Sequence, residues 1–128
     1  MGREAFLWVF LGSGLGGVIR FGIGAAILQR GGMPIWGTLA VNLIGSLLIG
    51  IVAGWHAQAP MERDPWRIGL APGFLGGFTT FSAFSLETFE LLTDRRFGLA
   101  AAYGFGSVAM GVAGAALGYW MARRPGAA

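Results

Sequence analysis

Cysteine and lysine are both missing from this 128-residue chain, histidine occurs once, and charged residues make up only 12%. Without cysteine there are no disulfide staples, no thiolate-bound zinc and no thiol redox chemistry. The single histidine, His56, stands beside Trp55 at the end of an apolar run. No nucleophile, base and orienting group can be assembled from this inventory, which argues against an enzyme. Soluble domains carry about 25% charged residues, so a surface this poor in charge is not built for water. The net charge of +3 comes from nine arginines against six acids. Most of those arginines flank apolar runs and form no basic helix face. They read as anchors at a membrane edge, not as a nucleic-acid surface.

What the chain has instead is apolar length. Four stretches, about 5–28, 35–57, 67–92 and 97–122, are each long enough to cross a hydrocarbon core of about 30 Å at a rise of about 1.5 Å per residue. The links between them hold the turn signals: Gln29-Arg30-Gly31-Gly32 with Pro34, then Gln58 to Asp64 with Pro60 and Pro65, then Thr93-Asp94-Arg95-Arg96. Short links make neighbours antiparallel. The expectation is an all-α membrane protein of one domain, with four transmembrane helices and both termini on one side.

The opening MGREAFLWVFLGSG has the charge-then-apolar order of a signal peptide, but no small-x-small cleavage site closes it. GSGLGG at 12–17 matches G-x-G-x-x-G, yet the first acid after it is Glu62, too far for a dinucleotide site. Gly12 and Gly16 read better as a small-residue packing face. Ser46, Gly50 and Gly54 make another, and Gly114 with Gly118 a third, beside a stripe of Ser107, Gly111 and Ala115. Four helices with so many small faces bury little surface alone, which points to a homo-oligomer. With cytoplasmic termini, that side holds Arg3, Arg63, Arg67, Arg123 and Arg124, and the other Arg30, Arg95 and Arg96. Five against three is a weak orientation bias, so the chain is expected to insert both ways round and pair as an antiparallel dimer.

The stretch GFLGGFTTFSAFS at 73–85 interrupts the third apolar run. Gly73, Gly76 and Gly77 weaken a continuous helix, and the hydroxyls of Thr79, Thr80, Ser82 and Ser85 can satisfy backbone freed by a break. Broken helices at membrane depth line cavities or bind something. Arg20 lies inside the first run and reads two ways, as a snorkelling side chain or as a positive vestibule residue that attracts an anion. Asn42 sits mid-span, one turn after Thr38 and one before Ser46. It is either interhelical glue or, through its NH₂, a donor to an anion. Phe81 and Phe84 share a helical face, with Phe78 on the same row, and aromatic edges carry partial positive charge. Glu87 and Glu90 begin the exit from the span. Tyr103 and Ser107, one turn apart, can extend a hydroxyl track beside the phenylalanines.

GTLAVNLIGS at 37–46, GFLGGFTTFSAFSLE at 73–87 and GLGGVIR at 14–20 resemble the CrcB/Fluc family of fluoride channels, and the likeness covers all four spans. It implies a dual-topology homodimer in the cell membrane with two fluoride pathways. It implies a pore lined by Asn42, Phe81 and Phe84, with Thr38, Thr80, Tyr103 and Ser107 on a polar track and Glu87 near its end. It further implies a structural Na⁺ held between subunits by the carbonyls of Gly76 and Thr79. One departure is Gly111, where similar members often carry another serine. The function implied is passive export of cytoplasmic fluoride. The alternative is a small dual-topology proton-coupled multidrug exporter, which needs a carboxylate deep in a span and a pH-driven flux.

Overall fold

The computed structural model describes residues 2–56 and 65–123. Helix α1 runs Arg3–Gln29 and α2 Pro34–His56. A composite third segment follows: α3 at Pro65–Ile68, a π-helical stretch at Gly69–Leu75, α4 at Gly76–Phe78, and after a break α5 at Phe81–Thr93. Helix α6 closes the fold at Phe97–Ala122. No strand occurs among the described residues. Among those residues three helices, α1, α2 and α6, are long and apolar enough to cross a membrane. The second connection, Gln58 to Asp64, lies outside the described residues, as do Ala57, Arg63 and Arg124.

The two described connections are built alike. At the end of α1, Gly31 takes φ 76° while its N–H bonds Leu28 O and the Gly32 N–H bonds Ile27 O, each at 3.0 Å. At the end of α5, Arg95 takes φ 59°, with Arg95 N–H on Leu92 O at 3.1 Å and Arg96 N–H on Leu91 O at 2.9 Å. Both are Schellman closures, in which a left-handed residue turns two N–H groups back onto orphan carbonyls. The π-helical stretch has its own cause in Pro72, which has no N–H to give and whose ring crowds the carbonyl four residues earlier. The ladder widens there to i→i+5, and the Gly76 N–H reaches Ala71 O.

Glycine contacts set the packing. At Gly50 a Cβ would fall on Ala115 O, and at Gly118 on Leu47 O, which brings α2 and α6 backbone to backbone. Gly12 meets Gly69 O and Gly16 meets Phe74 O in the same way, so α1 lies directly on the π-helical stretch and α4. Between helices that share a lipid solvent, such close van der Waals approach supplies the attraction. Small buried clusters complete the interior: Ile35, Leu91, Ala100 and Tyr103 join α2, α5 and α6, while Val52, Ala71 and Leu75 join α2 to the π-helical stretch. The outside is apolar, with Phe10, Phe21, Phe105 and Trp120 exposed. That is the surface a bilayer solvates.

Two expectations change here. The glycines do not make the break, because Gly76 and Gly77 are helical. The non-helical residues are Thr79 (φ −87°, ψ 160°) and Thr80 (φ −149°, ψ 119°). Gly77 instead lets the chain lie against the Ser13 backbone, and Gly73 approaches Trp8 and Val9. Phe78 also leaves the row of Phe81 and Phe84. It precedes the break, is buried, and stacks on Phe74 at 5.7 Å between centroids.

Candidate functional site

The break converges on Asn42. Its Nδ2 donates to Thr80 O at 3.0 Å, and its Oδ1 accepts from the Thr80 N–H at 2.8 Å. One side-chain amide therefore serves an extended residue as a neighbouring strand would, and both polar groups of that peptide position are satisfied. The glue reading and the donor reading coexist, since Nδ2 carries a second hydrogen. On the near side of the break, Leu75 O accepts from both the Thr79 N–H (3.1 Å) and Thr79 Oγ1 (3.0 Å). Gly77 O accepts from Arg20 Nε at 3.0 Å. On the far side, Thr80 Oγ1 caps α5 by accepting the Ala83 N–H at 3.2 Å. Arg20 is thus no free snorkelling chain, because its guanidinium is anchored to the helix end before the break.

A cavity of about 390 Å³ opens beside these groups, lined among others by Asn42, Ser46, Gly76, Thr79, Thr80 and Phe81. From Phe81 a line of rings leads inward. Phe81 and Phe84 have centroids 5.7 Å apart and tilted by 40°; Phe84 and Tyr103 are 5.2 Å apart and tilted by 56°. The line runs from a ring that is 78% exposed to one that is 5% exposed. The break therefore ends in a ladder of tilted aromatic edges.

At the inner end of the ladder stands Glu87, held on both carboxylate oxygens. Its Oε1 accepts from Thr38 Oγ1 at 2.7 Å and its Oε2 from Tyr103 Oη at 2.6 Å. A partly buried carboxylate is stabilised by two hydroxyls from two different helices, α2 and α6. Glu90, one turn on, is exposed. Arg20, Thr38, Thr80 and Glu87 line a second cavity of about 330 Å³. Tyr103 and Ser107 line a third, of about 170 Å³, where Ser107 Oγ is buried without a hydrogen-bond partner among the described residues. Beside Gly111 stands Ser46, whose Oγ would lie 3.4 Å from a Cβ built there.

Every site residue read from the sequence lines one of these cavities except Phe84, which packs between the rings of Phe81 and Tyr103, each of which does. The carboxylate clasp between Thr38 and Tyr103 has no sequence signal. The partners lie 49 and 16 positions from Glu87 in the chain, and no periodicity links them. Ser46 is legible as an i+4 neighbour of Asn42, but its pattern with Gly50 and Gly54 marks it only as a packing residue.

A family model described as CrcB-like protein, Camphor Resistance (CrcB), matches residues 7–119. The chain belongs to the CrcB family. It is 48% identical over 108 residues to the fluoride-specific ion channel FluC of Methylobacterium nodulans, which spans 84% of this chain and 87% of that one. It is 48% identical over 117 residues to the protein of the same name from Novosphingobium aromaticivorans, spanning 89% and 92%. A Thermus thermophilus protein of that name is 44% identical over 121 residues, spanning 93% and 94%. CrcB membership and the three apolar helices make this a multi-pass protein of the cell membrane. The exporter alternative gains nothing from these relatives.

Proposed function

We propose that this chain is a fluoride-selective channel, not an enzyme, that lets cytoplasmic fluoride leave the cell down its electrochemical gradient. The observation that carries the reading is the ring ladder Phe81–Phe84–Tyr103, which starts at the helix break and ends at the Glu87 clasp. The names of the relatives agree with it. Fluoride is small and strongly hydrated, so a pathway has to replace its water with donors. The candidates are the second N–H of Asn42, the hydroxyls of Thr80, Thr38, Tyr103 and Ser107, and the positive edges of the two phenylalanines. Thr38 and Tyr103 each own one hydroxyl proton, and both protons are given to Glu87. They serve an anion only when they turn away from that carboxylate. Arg20 supplies positive charge at the vestibule side, beside the 330 Å³ cavity.

The working form we propose is an antiparallel homodimer in the bilayer, in keeping with the weak arginine bias and the open cavity beside the break. A Na⁺ ion fits between the subunits. The Gly76 carbonyl has lost its usual i+4 donor, since the Thr80 N–H goes to Asn42, and the Thr79 carbonyl has lost its own, since the Ala83 N–H goes to Thr80 Oγ1. Both residues line the same cavity. Backbone oxygens of this kind suit a hard cation, and the ion would supply fixed positive charge at the subunit boundary. The test is efflux from liposomes that hold the purified protein, followed with fluoride and chloride electrodes. Rapid fluoride release with little chloride release is expected without any pH gradient. Comparable chloride release would sink the selectivity, and flux that needs a pH gradient would restore the exporter.

A further inference from the structure

We infer that Asn42 is the positioning residue that creates the cation site, so that one side chain ties the anion pathway to the ion at the subunit boundary. The inference rests on the Na⁺ reading above and extends it to a residue that would not touch the ion. The carbonyls on the near side of the break are sorted by what claims them. Leu75 O holds both donors of Thr79, and Gly77 O holds Arg20 Nε. Gly76 O should hold the Thr80 N–H, its i+4 partner in any continued helix. That N–H is instead 2.8 Å from Asn42 Oδ1, while Asn42 Nδ2 holds Thr80 O at 3.0 Å and keeps the residue extended. Asn42 therefore frees one carbonyl, at Gly76, and that residue lines the 390 Å³ cavity with Thr79.

The consequence is specific to one half of the amide. The oxygen, not the NH₂, keeps the Thr80 N–H away from Gly76. Asn42→Asp retains that acceptor, whereas Asn42→Leu has no acceptor at all, and the Thr80 N–H can return to Gly76 O. A purely structural role would instead make both variants lose stability without changing the response to sodium.

The experiment titrates NaCl against choline chloride and follows the thermal unfolding midpoint of the purified protein in detergent, with far-UV circular dichroism as the fold control. A ligand that binds only the folded state raises the midpoint, and the concentration dependence reports its affinity. Wild type and Asn42→Asp are expected to respond to Na⁺. Folded Asn42→Leu is expected to need at least about tenfold more Na⁺, the loss typical when an orienting partner of a metal ligand is removed. A wild-type Na⁺ response in folded Asn42→Leu overturns the inference. If that variant does not fold, Asn42→Asp decides alone, and loss of its Na⁺ response overturns the inference equally. A wild type indifferent to Na⁺ sinks the sodium reading itself, and that failure is visible before any variant is compared.

Discussion

Removing one oxygen from Tyr103 tests whether Glu87 is a held carboxylate or an idle one. Tyr103→Phe deletes the 2.6 Å hydrogen bond to Oε2 but leaves the ring, which is 5% exposed and packs on Phe84 at 5.2 Å. No cavity larger than the oxygen is created, so the cost is almost entirely polar. A hydrogen bond to a charged group contributes about 1.5–3 kcal/mol, and the carboxylate keeps only Thr38 at 2.7 Å. That corresponds to a loss of about one to two decades in the folded-to-unfolded ratio, at about 1.4 kcal/mol per decade. Glu87→Gln makes the informative contrast. Its carbonyl still accepts from Thr38, its NH₂ can donate to the tyrosine oxygen, and a neutral amide is less costly to desolvate than a carboxylate. It should cost less than about 1.5 kcal/mol, the lower end of what a charged hydrogen bond contributes. Heat unfolding followed by the fluorescence of the five tryptophans measures both. An unchanged midpoint in Tyr103→Phe, or a larger loss in Glu87→Gln than in Tyr103→Phe, would refute the argument.

Four further outcomes follow from the geometry. Gly50→Ala places a Cβ on Ala115 O and should destabilise the α2–α6 contact by about 1–3 kcal/mol, as overpacking does. Gly14→Ala meets nothing within 4 Å among the described residues and should gain about 0.5–1 kcal/mol from helix propensity; the same unfolding assay separates the two, and equal effects would remove the packing account. Arg95→Gly relieves a left-handed arginine at φ 59°. Because that strain is about 1–2 kcal/mol and glycine gives part back through the unfolded chain, the midpoint should rise by the equivalent of about 0.5–1 kcal/mol. Phe81→Ile and Phe84→Ile should each cut fluoride release from liposomes strongly while the protein stays folded, and wild-type flux in both would take the rings out of the mechanism.

The all-helical architecture was legible because apolar length is a local property. Residues 97–122 read as one uninterrupted run, and α6 spans Phe97–Ala122. The interruption near residue 79 was also legible, since hydroxyls and glycines crowd a place where a plain span carries Leu and Val. Its exact position was not. Glycine content pointed to 73–77, yet those residues are helical because α1 presses its backbone against Gly73 and Gly77. The break falls where Asn42, 38 residues upstream, offers a donor and an acceptor at one level. Propensity says where a helix can fail, and tertiary partners decide where it does. For the same reason Phe78 separates from Phe81, because helical spacing has no meaning across two extended residues.

The polar residues buried in these spans serve the backbone before they serve anything else. A peptide group left unpaired in a bilayer costs several kcal/mol, so a break without partners would not persist. Asn42 satisfies both groups of Thr80, Arg20 takes Gly77 O, and Thr80 Oγ1 takes the Ala83 N–H. Each of those side chains would attract a functional label from sequence alone, and each spends its first hydrogen bonds on scaffold. What remains at the break after that accounting, among the described residues, is the second hydrogen of Asn42, the remaining guanidinium N–H groups of Arg20 and the carbonyls of Gly76 and Thr79; the buried Ser107 hydroxyl is left over beyond it. The first two are donors that suit an anion, the carbonyls are acceptors that suit a cation, and the hydroxyl can act as either. A helix break made by side-chain capture therefore leaves both donors and acceptors unspent within a few residues, which an unbroken helix, with every N–H matched to a carbonyl, cannot do.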